Sequence, residues 1–151
     1  LLFLKVLLVF SLNQKQFGNE TLHFNSQAGA FYQAVKEMTY LLNMQGAKEK
    51  SFFIGFGDLY VTVYGGRTRL VGILLGKGLD IDQAKAQLNG VTLESLVVAV
   101  RVARSVKRNI AKGTLRKDDF PLLLHIDEIL SEKKSVDIPW EKFTFIDECK
   151  K

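Results

Sequence analysis

Apolar residues recur at spacings of three and four along most of this chain. Between Asn25 and Asn43 they fall at Ala30, Phe31, Ala34, Val35, Met38, Leu41 and Leu42, one face of a helix. Asn25 or Ser26 caps its start, and Gly46 is its stop. Lys48 to Phe53 reads as a short connector. Asp58 to Tyr64 is expected to be helical, which sets Asp58 and Thr62 one turn apart on one face. Gly65 and Gly66 interrupt the pattern, and Arg69 to Leu75 forms the next helix, ended by Gly76 and Gly78. Asp80 followed by Gln83 predicts a capping box before a short helix through Leu88, closed by Asn89 and Gly90. Thr92 caps the following helix, with Glu94 in its first turn where a negative charge suits the dipole. Leu96, Val97, Val100 and Ala103 supply its buried side; Arg101, Arg104, Lys107 and Arg108 supply its wet side. After a polar linker from Asn109 to Lys117, Asp118 caps a helix with Pro121 in its first turn, carrying Leu122, Leu123, Ile126, Ile129 and Leu130. Val136 to Phe145 is an extended tail, since Ile138 precedes a proline, and Trp140 and Phe143 anchor it. No strand alternation competes with these periods, so the fold class is all-α, a multi-helix single domain over residues 1–151.

The first twelve residues stand apart. Leu1 to Leu12 is apolar except for Lys5 and Ser11, too uniform for periodicity to separate helix from strand. The run is too short to span a bilayer, has no basic leader and no small-residue cleavage site, and no starting methionine precedes it. It reads as a segment of a longer protein. Lys5 is a lone cation in that run. It is either a buried amine of lowered pKa, able to pass a proton, or a lysine snorkelling to water.

Composition narrows the class. A hydrophobic share of 47% with 25% charged residues and a net charge of +5 describes a soluble globular chain. The basic helix at Arg101 to Arg108 has no interleaved aromatics, so nucleic acid is not an expected partner. Nor is a membrane. Cys149 is the single cysteine, which rules out an internal disulfide and a thiolate metal cluster and fits a reducing, cytoplasmic setting. His23 and His125 lack ligand-like spacing, so no metal site is expected.

Candidate chemistry concentrates in Gly55-Phe-Gly-Asp-Leu-Tyr-Val-Thr-Val-Tyr-Gly-Gly-Arg-Thr-Arg69. Its glycines permit backbone conformations that other residues avoid, and an acid, a hydroxyl and two arginines lie among them. Arginine and amide donors suit a phosphate; a carboxylate and a hydroxyl suit a polyol. The competing reading is a plain helix, a Gly-Gly turn and a second helix with solvent-facing arginines. The stretch is not a dinucleotide fingerprint, because Tyr60 stands where the third glycine would fall and no strand precedes it.

That stretch, through Val71, resembles the signature of the C-terminal domain of NAD-dependent glycerol-3-phosphate dehydrogenase. Asn25-Ser-Gln-Ala-Gly-Ala-Phe-Tyr-Gln-Ala-Val-Lys-Glu-Met38, Gly76-Lys-Gly78 and Gln87-Leu-Asn-Gly-Val91 follow the family's order. The resemblance implies an all-helical substrate domain, similar to the 6-phosphogluconate dehydrogenase C-terminal domain-like fold, following a Rossmann domain that this chain lacks. It implies NAD or NADP as cofactor and reduction of dihydroxyacetone phosphate to sn-glycerol 3-phosphate, for glycerophospholipid synthesis. Lys5 matches the lysine that passes a proton to the substrate oxygen, and Asp58 the acid that orients it. Thr62, Gly66, Arg67 and Thr68 match substrate-pocket positions, Arg67 also reaching the dinucleotide. Asn89, with Gln87 beside it, matches a cofactor contact; an ordinary helix stop explains Asn89 equally well. The chain departs from the family at Val6, Thr68 and Asn89, where asparagine, asparagine, and glutamate or glutamine are usual. Without its nucleotide-binding half, this chain is expected neither to bind NAD tightly nor to turn over. A homodimer fits the resemblance, and the alternative is a non-catalytic helical interaction or dimerisation module on the same scaffold.

Overall fold

The computed structural model describes residues 24–65, 67–89 and 94–143, with backbone alone at residues 24, 49, 50, 62–65 and 67. The described residues form six α-helices and two 3-10 turns, and no strand occurs among them. The helices are α1 (Phe24–Met44), α2 (Glu49–Gly65), α3 (Arg67–Gly76), α4 (Ile81–Gln87), α5 (Glu94–Ala111) and α6 (Pro121–Glu132). The 3-10 turns are Lys117–Asp119 and Trp140–Lys142. The chain is all-α, as its periodicity predicts.

Helix α6 is the hub. Leu122, Leu123, Ile126 and Ile129 are all buried, so the helix is covered on most of its circumference. It packs along α5 and against α1, while α1 meets α2, α2 meets α3, and α3 meets α4. Lys107 on α5 reaches Asp127 on α6 at 2.6 Å, and Ser131 Oγ donates to the same carboxylate at 3.0 Å. Tyr40 of α1 stands edge-on to the buried Phe120 ring, centroids 5.3 Å apart.

The start of α6 leaves no backbone donor unaccounted for. Four N–H groups at a helix start lack intrahelical partners. Phe120 N–H donates to Lys117 O at 3.2 Å, and Pro121 has no N–H. Leu122 N–H donates to Glu37 Oε1 and Leu123 N–H to Glu37 Oε2, each at 2.9 Å. Leu124 N–H then begins the ladder at Phe120 O. Glu37, on α1, is fully buried and also accepts from Gln33 Nε2 at 2.9 Å. Burial pushes its carboxyl up to about 7, against the opposing pull of the Gln33, Leu122 and Leu123 donors.

Local turn chemistry ends α1 and α3 in the same way. Gly46 has φ +66°, Gly46 N–H donates to Asn43 O, and Ala47 N–H donates to Leu42 O. Gly78 repeats this at φ +90° with Leu75 O and Leu79 N–H to Leu74 O. These are Schellman closures, which need a residue at ease in the left-handed region. At the start of α4 the expected capping box is present: Asp80 Oδ1 accepts from Asp82 and Gln83 N–H, and Gln83 Oε1 accepts from Asp80 N–H.

Three local expectations are corrected. Lys48 to Phe53 is not a connector, because α2 begins at Glu49 and runs through Gly55 and Gly57. Gly55 and Leu59 are buried on its inner side, and packing there outweighs the low helix preference of glycine. Asp118 does not cap α6; it lies in the 3-10 turn, Phe120 is the cap residue, and Glu37 supplies the acceptors. Val97 is 52% exposed, and Ser95 takes the buried place beside Leu96, Ala99 and Ala103. Lys107 is exposed, as expected, and its ammonium also reaches Asp127. The segment after α6 is extended until its 3-10 turn, with Ile138 and Phe143 buried and Trp140 packed edge-to-face on Phe143. His125 Nε2 accepts from Asp137 N–H at 3.1 Å, and burial holds its imidazole below the ordinary 6.5. Among the described residues no helix is long and apolar enough to cross a membrane.

Two outcomes follow for stability. Glu37 has a folded value above its unfolded value of 4.5, so folding takes up a proton in that window. Its contribution is whole below pH 4.5 and is lost as pH rises through about 7, a swing of about 3 kcal/mol. His125 acts in the opposite sense, its contribution present above 6.5 and lost as pH falls through its lowered value. Urea unfolding of the wild type and Glu37→Gln across about pH 5 to about pH 8 isolates the first term. The stability advantage of the wild type shrinks as pH rises; a constant difference would exclude a buried titrating Glu37. Glu37→Ala, which strands two buried N–H donors, costs about 3 kcal/mol while Glu37 is protonated, and that cost shrinks as pH rises through about 7.

Candidate functional site at the junction of α2 and α3

The site grows from a break between two helices. α2 ends at Gly65 and α3 opens at Arg67, so the two share a one-residue junction. Asp58 is half-buried on α2, and the backbone carries Thr62 one turn further towards the junction. At 1.5 Å per residue Asp58 lies about 10 Å along the axis from the end of α2, and Thr62 about 5 Å.

The first turn of α3 breaks a local rule. The sequence opens Arg67-Thr68-Arg69 and contains no acidic residue in that turn. Two cations at the positive end of a helix dipole oppose helix formation and favour a bound anion. Conflict between a local preference and the fold is what a ligand site tends to leave in a sequence.

A second helix start meets it. Thr68 is 7% exposed, and its Oγ1 lies 2.7 Å from Ser95 Oγ, itself 5% exposed, in the first turn of α5. Two helix N-termini, far apart in sequence, therefore converge at one buried hydroxyl pair. Sequence reasoning named Thr68 and missed Ser95. The available signal was a small hydroxyl directly after Glu94, on the side of α5 that carries Leu96 and Ala99.

The remaining predicted residues fall as follows. Lys5 and Gly66 lie outside the described residues. Arg67 is placed by its backbone as the first residue of α3. Gln87 is the last residue of α4 and Asn89 sits in the turn after it; both are exposed. α4 packs on α3, and residues 90–93 alone separate the described turn at Asn89 from α5. The ends of α2 and α4 and the starts of α3 and α5 thus belong to connected parts of the fold. Among the described residues no cluster of His, Cys, Asp and Glu could hold a metal ion. Two cavities, of about 200 and 540 Å³, open between α6 and the C-terminal segment around His125, Glu128, Pro139 and Lys142. Neither is lined by Asp58, Thr68 or Asn89.

A family-level profile, described as NAD-dependent glycerol-3-phosphate dehydrogenase C-terminus, matches residues 17–141. An NADP(+)-dependent glycerol-3-phosphate dehydrogenase of Archaeoglobus fulgidus is 46% identical over 57 residues, 36% of this chain and 17% of the relative. A glycerol-3-phosphate dehydrogenase, NAD(P)+, of Delftia acidovorans is 33% identical over 113 residues, 72% and 31% of the two chains. One of Fusobacterium nucleatum is 28% identical over 115 residues, 74% and 32%. The chain therefore spans about a third or less of the length of the curated relatives it matches. With its all-helical architecture, its Gly-Gly-Arg junction and a profile match over most of its length, the chain belongs to the family of NAD-dependent glycerol-3-phosphate dehydrogenase C-terminal domains.

Proposed function

We propose that this chain is the substrate half of an NAD(P)-dependent enzyme that reduces dihydroxyacetone phosphate to sn-glycerol 3-phosphate for glycerophospholipid synthesis. The observation that carries this reading is the meeting of the α3 and α5 starts at Thr68 and Ser95, beside an arginine-rich first turn. The names of the relatives, all glycerol-3-phosphate dehydrogenases, support it.

The division of labour follows from charge. A phosphate dianion is held by the N–H groups at the helix starts and by the Arg67 guanidinium, whose planar fork matches phosphate oxygens. Thr68 and Gly66 line that end. A carboxylate would repel phosphate, so Asp58 faces the other end of the substrate, with Thr62 between them. Bound NADH or NADPH supplies the hydride to the carbonyl carbon. Oxygen then becomes an alkoxide, and Lys5 as ammonium donates its proton there, held in place by Asp58. Phosphate binding supplies remote energy for orienting the carbonyl.

The cofactor itself is met from outside. Gln87 and Asn89 present exposed amides at the end of α4, suited to touching a ligand held elsewhere. Among the described residues there is no strand, and hence no strand–turn–helix cradle for a pyrophosphate. The dinucleotide is gripped by another part of the full-length protein, and this chain alone is inactive. The site is cytoplasmic, with the working enzyme a homodimer.

Two variants of the full-length protein test the reading. Asp58→Asn lowers kcat/KM for dihydroxyacetone phosphate by about 100-fold or more while far-UV circular dichroism is unchanged. Undiminished turnover would remove Asp58 from the mechanism. Ser95→Ala leaves the Thr68 hydroxyl without its partner, costs about 1 kcal/mol of stability, and raises KM for dihydroxyacetone phosphate more than it lowers kcat. An unchanged KM would reduce the hydroxyl pair to a packing contact.

A further inference from the structure

The segment after α6 returns across that helix as a strap. Lys133 turns the chain at φ 57°, and residues 134–139 follow without regular structure. Among the described residues, the backbone-to-backbone bonds of residues 135–143 are local turns. Trp140 N–H donates to Ile138 O, Lys142 N–H to Pro139 O, and Phe143 N–H to Trp140 O. Apolar contact seats the far half of the strap, where Ile138 and Phe143 are buried and Trp140 packs on Phe143. Polar groups tie the near half to α6, with Val136 half-buried among them. Asp137 N–H donates to His125 Nε2 at 3.1 Å, and Lys134 Nζ reaches Glu128 Oε2 at 3.3 Å.

The His125 side chain is 11% exposed and stands where the cavities of about 200 and 540 Å³ meet beside the strap. Because Nε2 accepts the Asp137 amide, the ring is neutral with its proton on Nδ1, which faces Glu128 Oε2 at 3.7 Å. We propose that His125 makes the strap acid-sensitive: the neutral ring holds residues 134–137 on α6, and proton uptake at Nε2 releases them while Ile138 and Phe143 stay seated. A protonated Nε2 is a donor, so it and Asp137 N–H become two donors facing each other and must separate. Glu128 acts in the same direction. Its Oε2 is shared between His125 and Lys134, and an imidazolium draws it from Lys134, which keeps Glu132 at 3.3 Å. The other charged groups around the ring come from every neighbouring element. Lys117 and Asp118 belong to the 3-10 turn before α6, Asp137 to the strap, and Glu141 and Lys142 to the final 3-10 turn. Burial decides the sign: it outweighs the pull of Glu128 and Asp137 and holds the imidazole below its ordinary 6.5. The strap is therefore closed at neutral pH and opens as pH falls through the ring's lowered value. The device is independent of the reaction proposed above.

NMR of the full-length protein, labelled at backbone amides and histidine rings, follows both partners of the bond. The Asp137 amide and the His125 ring titrate together, with one midpoint below 6.5. Across that midpoint, hydrogen-exchange protection at Asp137, corrected for the intrinsic rate at each pH, falls by at least about 10-fold. The amides of Ile126 and Ile129 within α6 keep their protection. His125→Gln supplies an amide oxygen that accepts at every pH, so both changes disappear. Glu128→Gln removes the carboxylate that favours the imidazolium and moves the common midpoint to lower pH. An Asp137 amide blind to the ring's titration overturns the proposal. So does the same loss of protection in His125→Gln, or a loss that extends to Ile126 and Ile129 and therefore reports unfolding of α6. A midpoint unmoved by Glu128→Gln overturns the shared role of that carboxylate.

Discussion

A single buried carboxylate sets how this domain closes. Glu37, on the first described helix, holds both free N–H groups at the start of the last one, across 85 and 86 residues of sequence. Apolar burial drives collapse but has no direction, and many packings of these helices would hide similar area. Two hydrogen bonds of 2.9 Å at a helix end do have direction. They fix the register of α1 against α6, and α5 follows through its contact with α6 and the Lys107–Asp127 pair. The cost is a charge-bearing group taken out of water, visible as a carboxyl pushed up to about 7. Removing one partner of such an arrangement is far worse than never having built it, because the donors remain buried.

Helix starts recur as the organising motif, put to three uses. At α4 the donors are satisfied locally, by Asp80 within the same turn. At α6 they are satisfied at a distance, by Glu37. At α3 the first turn carries arginines and no acid, and its buried threonine pairs with the first-turn serine of α5. The first two uses complete the fold. The third leaves positive potential concentrated where two helices converge, the arrangement an anionic substrate needs. That potential sits at the start of α3, a helix packed against both α2 and α4.

Much of the helical layout was legible because its signals are local. The apolar spacing of α1, the glycine stops at Gly46 and Gly78, the capping box at Asp80 and the proline opening α6 each involve residues within a turn or two. Asp58, Arg67 and Thr68 stood out for a similar reason, being unusual residue types crowded among glycines. The motif order that marks the family is likewise a property of the linear sequence, and it extends over residues that also match the family profile.

Other features were decided by tertiary packing. Glycines at 55 and 57 argue against a helix, yet α2 runs through both because its inner side is buried. Val97 belongs to the apolar pattern of α5 yet faces outward, and Ser95 turns inward to reach Thr68, 27 residues away. Nothing near Asp118 tells that the cap of α6 comes from Glu37. The sequence alone determined the helices, their stops and the chemical character of the junction, since propensity, capping and period act over a few residues. Which polar groups meet in the interior was settled only by the folded chain, because a hydrogen bond between distant residues exists only once packing has brought them together.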